Sequence, residues 1–158
     1  MRKYGIVLAV VAALVAAVAT SAASVKPRAI NLLMVDKSIV DIGDVDPNSP
    51  PTVGKQYVLE NDLYRWNGSK RGAHVGTLQG FCAFTKTTGN GYWQVCTGAA
   101  LLPAGQIAVA GSIRLGPLFD IPVVGGTGAY TGARGYVRIK SIGNGSTGKS
   151  AATIVLTG

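Results

Sequence analysis

The chain has 158 residues, of which 15 are basic and 7 acidic, and its formal net charge is +8. It opens with Arg2 and Lys3, an unbroken apolar run from Ile6 to Val18, and a small-residue exit, which predicts a signal peptide over residues 1–23. The run is too short for a membrane span, which needs about 20 residues. Removing the predicted signal peptide leaves 13 basic and 7 acidic residues, a net charge of +6. Residues 24–158 are then predicted to form a single secreted domain (extracellular or periplasmic). This length excludes a two-domain protein, and export disfavours a cytosolic cofactor enzyme.

The mature sequence contains no helical periodicity. Glycine and proline recur about every 8–12 residues, and the segments between them are rich in β-branched and aromatic residues, which is typical of an all-β barrel or sandwich. The proline-rich segment 43–54 is predicted to be a loop. The remaining segments predict an eight-stranded antiparallel β-barrel, with strands at 29–35, 55–63, 73–86, 91–101, 105–114, 118–124, 133–142 and 150–157.

The two cysteines, Cys82 and Cys96, flank a predicted hairpin with a Gly-Asn-Gly turn. If Thr88 and Asn90 flank the turn, paired residues sum to 178 and the cysteines face each other at a distance that a disulfide can bridge. Two buried free thiols are the alternative, and an exported chain disfavours them. The single histidine and the lack of a C-x-x-C pair predict that no metal is bound.

Several apparent motifs lack the context that they need. Residues 143–150 match the phosphate-loop pattern, but a strand rather than a helix is predicted to follow, so no nucleotide cofactor is expected. The Asn-Gly-Ser triplets at 67–69 and 144–146 fit either glycan acceptors or hairpin turns. His74 has no G-x-S-x-G partner, and the basic residues form no stripe that would predict nucleic-acid binding.

The stretch from Ile121 to Gly135 reads Ile-Pro-Val-Val-Gly-Gly-Thr-Gly-Ala-Tyr-Thr-Gly-Ala-Arg-Gly. It closely resembles the signature of the dirigent proteins and of the wider allene oxide cyclase barrel superfamily. Segments further upstream are similar to strands of that family in the same order, among them Val75-Gly76, Gly80-Phe-Cys82 and Trp93-Gln-Val-Cys96-Thr-Gly. The resemblance covers roughly residues 73–140 and implies an eight-stranded barrel, often trimeric, with a cavity at one mouth.

The family resemblance also implies a function. Dirigent proteins hold reactive phenolic intermediates and direct their coupling, and allene oxide cyclases direct the ring closure of an epoxide; both work by confinement. The expected protein binds a small hydrophobic or phenolic ligand and steers its cyclisation or coupling without a cofactor, as an isomerase-like activity, with a separate oxidase as the source of the intermediate. The alternative is a non-catalytic, secreted ligand-binding or structural barrel.

Individual residues carry over from the family in part. Arg134 matches the arginine of the Ala-Arg-Gly element, and Asp36 falls near the family's first-strand aspartate, so both are candidate catalytic residues. Asp36 also fits a turn cap. Gly126, Gly128 and Tyr130 join Arg134 as candidate ligand-binding residues, whereas Ala129 replaces an acid common in the family.

The alternation of the seventh strand gives Arg134 a second interpretation. It shares a face with Tyr136, Arg138 and Lys140, and a face with three cations is ordinarily solvated. On that interpretation Arg134 pairs with an acid such as Asp120 and braces the loop.

Self-association is expected from the aliphatic content as well as from the resemblance. A narrow barrel should not hold all of its aliphatic side chains, so part of the outer wall should be apolar and covered by other copies in a homotrimer. The residues on which this expectation rests are Val109, Ile113, Val123, Val137 and Ile139.

Overall fold

The computed structural model describes residues 28–43, 50–89, 91–143 and 147–157. They form a closed barrel in which each strand pairs antiparallel with its neighbour in sequence and the first strand pairs with the last. The predicted fold class is therefore confirmed. The strands are β1 Arg28–Ile42, β2 Gln56–Trp66, β3 Arg71–Thr88, β4 Gly91–Leu102, β5 Gly105–Arg114, β6 Leu118–Gly126, β7 Gly135–Ser141 and β8 Lys149–Leu156.

The first strand is much longer than predicted. Its pairing with β2 shifts by one residue between Asp36 and Ser38, so Lys37 forms a β-bulge and the strand continues to Ile42. The bulge changes which side chains face inward, and Ile39 rather than Ser38 follows Asp36 on the inner face. Asp36 therefore lies within the strand, and its alternative assignment as a turn cap is wrong.

Aliphatic side chains fill the middle of the barrel. Every second residue of each strand points inward, and the inward residues of the middle layer leave a void of only about 40 Å³. Close packing of this kind gives the barrel a solid centre and separates its two ends. The residues around the void include Leu32, Leu63, Leu78, Ile107, Val109, Ile121, Val137 and Ile154.

The β3–β4 hairpin carries the predicted disulfide. Cys82 pairs directly with Cys96, their Cα atoms are 4.2 Å apart, and the two sulfur atoms are bonded. Near the turn, Thr88 pairs with Gly91, one residue beyond the predicted partner Asn90. A register shift between Phe84 and Lys86 restores the predicted pairing at the cysteines. The disulfide is confirmed, and the register that predicted it holds only on one side of this bulge.

The prediction that the barrel interior is too narrow for five named aliphatic side chains is wrong. Val109, Ile113, Val123 and Val137 are all buried, and Ile139 packs against the same core. Glycines and alanines on the inner face leave room for them. The exposed aliphatic side chains of the outer wall are a different set, which includes Val40, Val58, Val95 and Val124.

Some predictions fall wholly or partly outside the described residues, namely the signal peptide, the middle of the 43–54 loop and the Asn144 triplet. The phosphate-loop match is followed by β8, a strand that begins at Lys149, so the helix that phosphate binding requires does not follow. Within the described ranges, no helix is long and apolar enough to cross a membrane.

Candidate functional site

The candidate site is a cavity inside one end of the barrel, which we call the inner cavity. It has a volume of about 190 Å³, is partly open to solvent and is lined by residues of all eight strands. Most of its wall is aliphatic, aromatic or sulfur-containing. Its lining residues include Met34, Asp36, Ile39, Tyr57, Leu59, Asn61, Gly80, Cys82, Gln94, Cys96, Gly98, Ile113 and Phe119.

An aspartate and an asparagine face each other across β1 and β2 in this cavity. Asp36 pairs with Asn61 in the sheet register, and the Asn61 Nδ2 atom donates a hydrogen bond of 2.6 Å to Asp36 Oδ1. Asn61 is only 4% exposed, so its amide is fixed by burial as well as by the bond. This contact uses one of the two carboxylate oxygens of Asp36 and leaves Oδ2 outside the pair.

A tyrosine and a glutamine form the second polar pair. The hydroxyl of Tyr57 donates a hydrogen bond of 2.7 Å to Gln94 Oε1, and Gln94 is 2% exposed. Burial raises the pKa of the Tyr57 phenol above its usual value, because the charged phenolate is poorly solvated there. Tyr57 therefore stays protonated at neutral pH and acts as a hydrogen-bond donor rather than as a base.

The space in the inner cavity comes from small inward residues and from the disulfide. Gly80 and Gly98 occupy inward positions of β3 and β4, where any larger residue would reduce the volume. The Cys82–Cys96 bond lies beside them and forms part of the wall. The disulfide thus ties together the two strands that carry these glycines and Gln94.

The opposite end of the barrel has a wider depression, which we call the basic mouth. It is formed by the start of β1, the end of β2, the β2–β3 and β4–β5 turns and the short 3-10 turn Gly128–Tyr130. Four cationic residues line it, namely Arg28, Arg65, Lys70 and Arg71.

The structure separates the residues that the sequence proposed as a site. Asp36 lines the inner cavity, whereas Tyr130 is buried at the basic mouth, at the other end of the barrel. Arg134 is exposed and lines neither. Its Nη1 donates hydrogen bonds to the carbonyl oxygens of Val124 (3.2 Å) and Ala133 (2.9 Å). Asp120, its suggested acidic partner, instead pairs with Arg138 at 2.8 Å.

The two candidate glycines lie at the last position of β6, Gly126, and in the 3-10 turn that follows, Gly128. A Cβ atom on Gly126 would come within 2.5 Å of the carbonyl oxygens of Gln106 and Tyr130. Gly128 has a φ of +60° and sits against the carbonyl of Ala104, where a side chain would be both strained and crowded. This close approach of backbone to backbone accounts for both glycines, which line neither the inner cavity nor the basic mouth.

Sequence reasoning missed Asn61, Tyr57 and Gln94. A signal for them existed, because Asn61 shares its strand face with Leu59 and Leu63, and Gln94 shares its face with Cys96. A polar residue at an inward position of a barrel strand must find a partner. Which partner it finds depends on the cross-strand register, which the sequence did not supply.

Two ion pairs lie on the outer wall, away from this chemistry. Asp120 and Arg138 join β6 to β7 on the outer wall, and the arginine lowers the pKa of the Asp120 carboxyl. Lys37 and Glu60 pair at 2.8 Å on the outside, and the pKa of Lys37 is raised by that hydrogen bond. Among the residues with described positions, no three histidines, cysteines or acids lie close enough together to hold a metal ion.

Comparison with known protein families identifies the chain. The family model described as "Dirigent-like protein" matches residues 19–156. This chain belongs to the dirigent-like protein family. No curated protein matches it in sequence.

Solved structures show the same dirigent-like barrel. A pyocyanin demethylase is 21% identical, with a TM-score of 0.67, over 82% of this chain and all of its own. A pterocarpan synthase dirigent protein is 20% identical, with a TM-score of 0.60, over 83% of each chain. An exo-specific intermolecular Diels-Alderase is 17% identical, with a TM-score of 0.66, over 84% of this chain and 99% of its own. At these identities the likeness establishes the fold.

Proposed function

We propose that this dirigent-like barrel is exported, binds a small hydrophobic or phenolic molecule in the inner cavity, and steers its cyclisation or coupling without a cofactor. The observation that carries the proposal is the cavity itself, in which an apolar wall surrounds two hydrogen-bonded polar pairs, Asp36–Asn61 and Tyr57–Gln94. Ligand sites typically combine an apolar lining with a few placed polar groups. Structural neighbours named as a pterocarpan synthase and a Diels-Alderase support this class of reaction.

The size of the inner cavity limits the ligand. Its volume of about 190 Å³ is below the range of about 300–1,000 Å³ that is common for drug-sized ligands. A ligand of one or two rings therefore fits, or the reacting part of a larger molecule whose remainder lies outside the barrel.

The proposed mechanism is confinement with polar steering. The packed aliphatic wall restricts the conformers of a flexible or reactive ligand, which lowers the entropic part of the barrier to ring closure or coupling. The Tyr57 hydroxyl, whose proton is donated to Gln94 Oε1, can accept a hydrogen bond from a phenolic O–H of the ligand, while Asp36, held by Asn61, can accept a proton or stabilise positive charge. Ring closure rearranges one molecule and needs no oxidant. Coupling of phenols requires that a separate oxidase first removes an electron and a proton from each.

Two observations support export. The sequence predicts a signal peptide over residues 1–23, which would direct the chain out of the cytosol, and the Cys82–Cys96 disulfide is typical of proteins from oxidising compartments.

The proposal is tested with a panel of one- and two-ring phenols, screened against the purified mature protein by native mass spectrometry. We expect one-to-one binding of at least one phenol, weakened tenfold or more in Asp36→Asn or Tyr57→Phe. Asp62→Asn is the matched control, because Asp62 is on the same strand as Asn61 but faces outward. Chiral chromatography of the coupling or cyclisation products, with and without protein, then separates steering from simple binding.

Failure of every phenol to bind, or equal losses in the control variant, would overturn the assignment of the inner cavity. Binding with an unchanged product distribution would instead establish the non-catalytic alternative.

A further inference from the structure

The basic mouth is distinct from the inner cavity in place and in charge. Its volume of about 700 Å³ exceeds that of the inner cavity several-fold. The packed centre of the barrel lies between the two. A ligand in the basic mouth would therefore be separate from one in the inner cavity.

Two of the cations stand at the rim of the barrel, exposed to solvent, at the ends of inward-facing rows of β1 and β2. Arg28 begins the inward-facing row of β1 that continues through Ile30 and Leu32, and Arg65 ends the inward row of β2 after Leu63. The short β2–β3 turn then adds Lys70 and Arg71 to the rim. Inward positions of a barrel strand are usually apolar, so two arginines there call for a ligand or solvent role.

The charges of the mouth are not balanced by neighbouring acids. None of the described residues that line it is aspartate or glutamate. Arg71 stacks its guanidinium 4.8 Å from the centre of the Tyr64 ring. The ion pairs in the described part of the chain involve other cations, namely Lys37, Lys55, His74 and Arg138. A concave surface with several like charges concentrates a field that attracts counter-ions.

The floor of the mouth is apolar. Ile30, Leu32, Val75, Leu102 and Tyr130 line the depression beneath the cations. A fully hydrated inorganic ion would leave that floor unused. A molecule with one anionic group and an apolar body would fill both parts.

We propose that the basic mouth binds a small organic anion. A carboxylate, sulfonate or phosphate group is held by Arg28, Arg65 and Lys70, and the apolar part rests on the floor. Arginine suits this role, because its planar fork can donate two hydrogen bonds to one oxyanion.

The experiment uses 2-naphthoate and its neutral analogue 2-naphthamide, titrated calorimetrically into the purified mature protein. We expect the naphthoate to bind at least tenfold more tightly than the amide, and its affinity to fall as salt is raised. The double variant Arg65→Gln/Lys70→Gln should weaken naphthoate binding at least tenfold.

The matched control is Arg138→Gln/Lys140→Gln, which also removes one arginine and one lysine but from the outer face of β7. We expect it to bind naphthoate within twofold of the wild type. No binding of naphthoate, equal binding of acid and amide, or equal losses in both double variants would overturn the proposal. A loss confined to Asp36→Asn would place the probe in the inner cavity and also overturn it. Circular dichroism checks that each variant is folded.

Discussion

Charged side chains of this barrel differ widely in solvent exposure, and their contributions to the free energy of unfolding differ accordingly. The Lys55 side chain is 9% exposed and its Nζ lies 3.0 Å from Asp41 Oδ2, where β1 ends and β2 begins. The Lys37–Glu60 pair is shorter, at 2.8 Å, but the lysine side chain is 53% exposed. Burial rather than distance decides which pair matters, because solvent screens the exposed one.

We therefore expect Lys55→Ala to cost about 2 kcal/mol in the free energy of unfolding, since it leaves Asp41 without its partner and removes a buried alkyl chain. Lys37→Ala should cost about 0.5 kcal/mol or less. Urea unfolding of both variants measures the difference, and Lys55→Met separates the lost charge from the lost packing. Equal costs for Lys55→Ala and Lys37→Ala would contradict this prediction.

Arg134 offers a second residue-scale test, because its two roles predict different results. Its hydrogen bonds to the carbonyls of Val124 and Ala133 favour a brace between β6 and the start of β7. Arg134→Ala should then cost about 1 kcal/mol and lower the melting temperature by a few degrees, with ligand binding unchanged. If Arg134→Lys instead weakened ligand binding and left the melting temperature unchanged, Arg134 would have the ligand-binding role that the family motif implies. Thermal denaturation and the phenol titration measure the two effects.

Among the structural elements, the strands were predictable and the bulges were not. Strand β5 has its predicted bounds, and β4 differs by one residue, because Gly-rich turns and period-two alternation mark both clearly. The end of β1 was missed, since the polar run from Asp36 to Ser38 resembles a turn in sequence and becomes strand only through pairing with Glu60 and Asn61. The candidate site depends on that pairing, because it brings Asp36 to Asn61. Sequence alone therefore predicted one residue of the inner cavity's polar pairs and not its partner.

The β3–β4 hairpin carries the prediction at this scale. The Cys82–Cys96 bond closes a loop with a sequence separation of 14, and a loop of this size contributes roughly 3 kcal/mol by restricting the unfolded chain. The variant Cys82→Ala/Cys96→Ala should lose about that much stability in urea unfolding. Under non-reducing conditions the mature wild-type chain should weigh two hydrogens less than its reduced form. Alkylation of both cysteines in secreted protein without prior reduction would contradict the prediction.

At the scale of the whole molecule, the barrel interior holds the aliphatic side chains that were expected to exceed its space. The outer wall is nevertheless partly apolar. Outward-facing Val40 pairs with Val58, and Val58 pairs with Phe81, so these residues form a row across three strands. Val95 extends the apolar surface on β4. We call this row and Val95 the outer-wall patch. Exposed apolar side chains grouped in this way are typical of an interface between copies.

The homotrimer that the family resemblance implies would bury the outer-wall patch. Val58→Lys places a charge at the centre of the patch and should convert the trimer to monomers, because an unpaired charge is costly to bury in an interface. Val124→Lys is the matched control, since Val124 is similarly exposed, at 50% against 41% for Val58, but lies on β6 outside the patch. Light scattering at micromolar protein should give three times the chain mass for the wild type and the control, and one chain mass for Val58→Lys. A monomeric wild type would rule out the trimer, and dissociation by Val124→Lys alone would move the interface to β6.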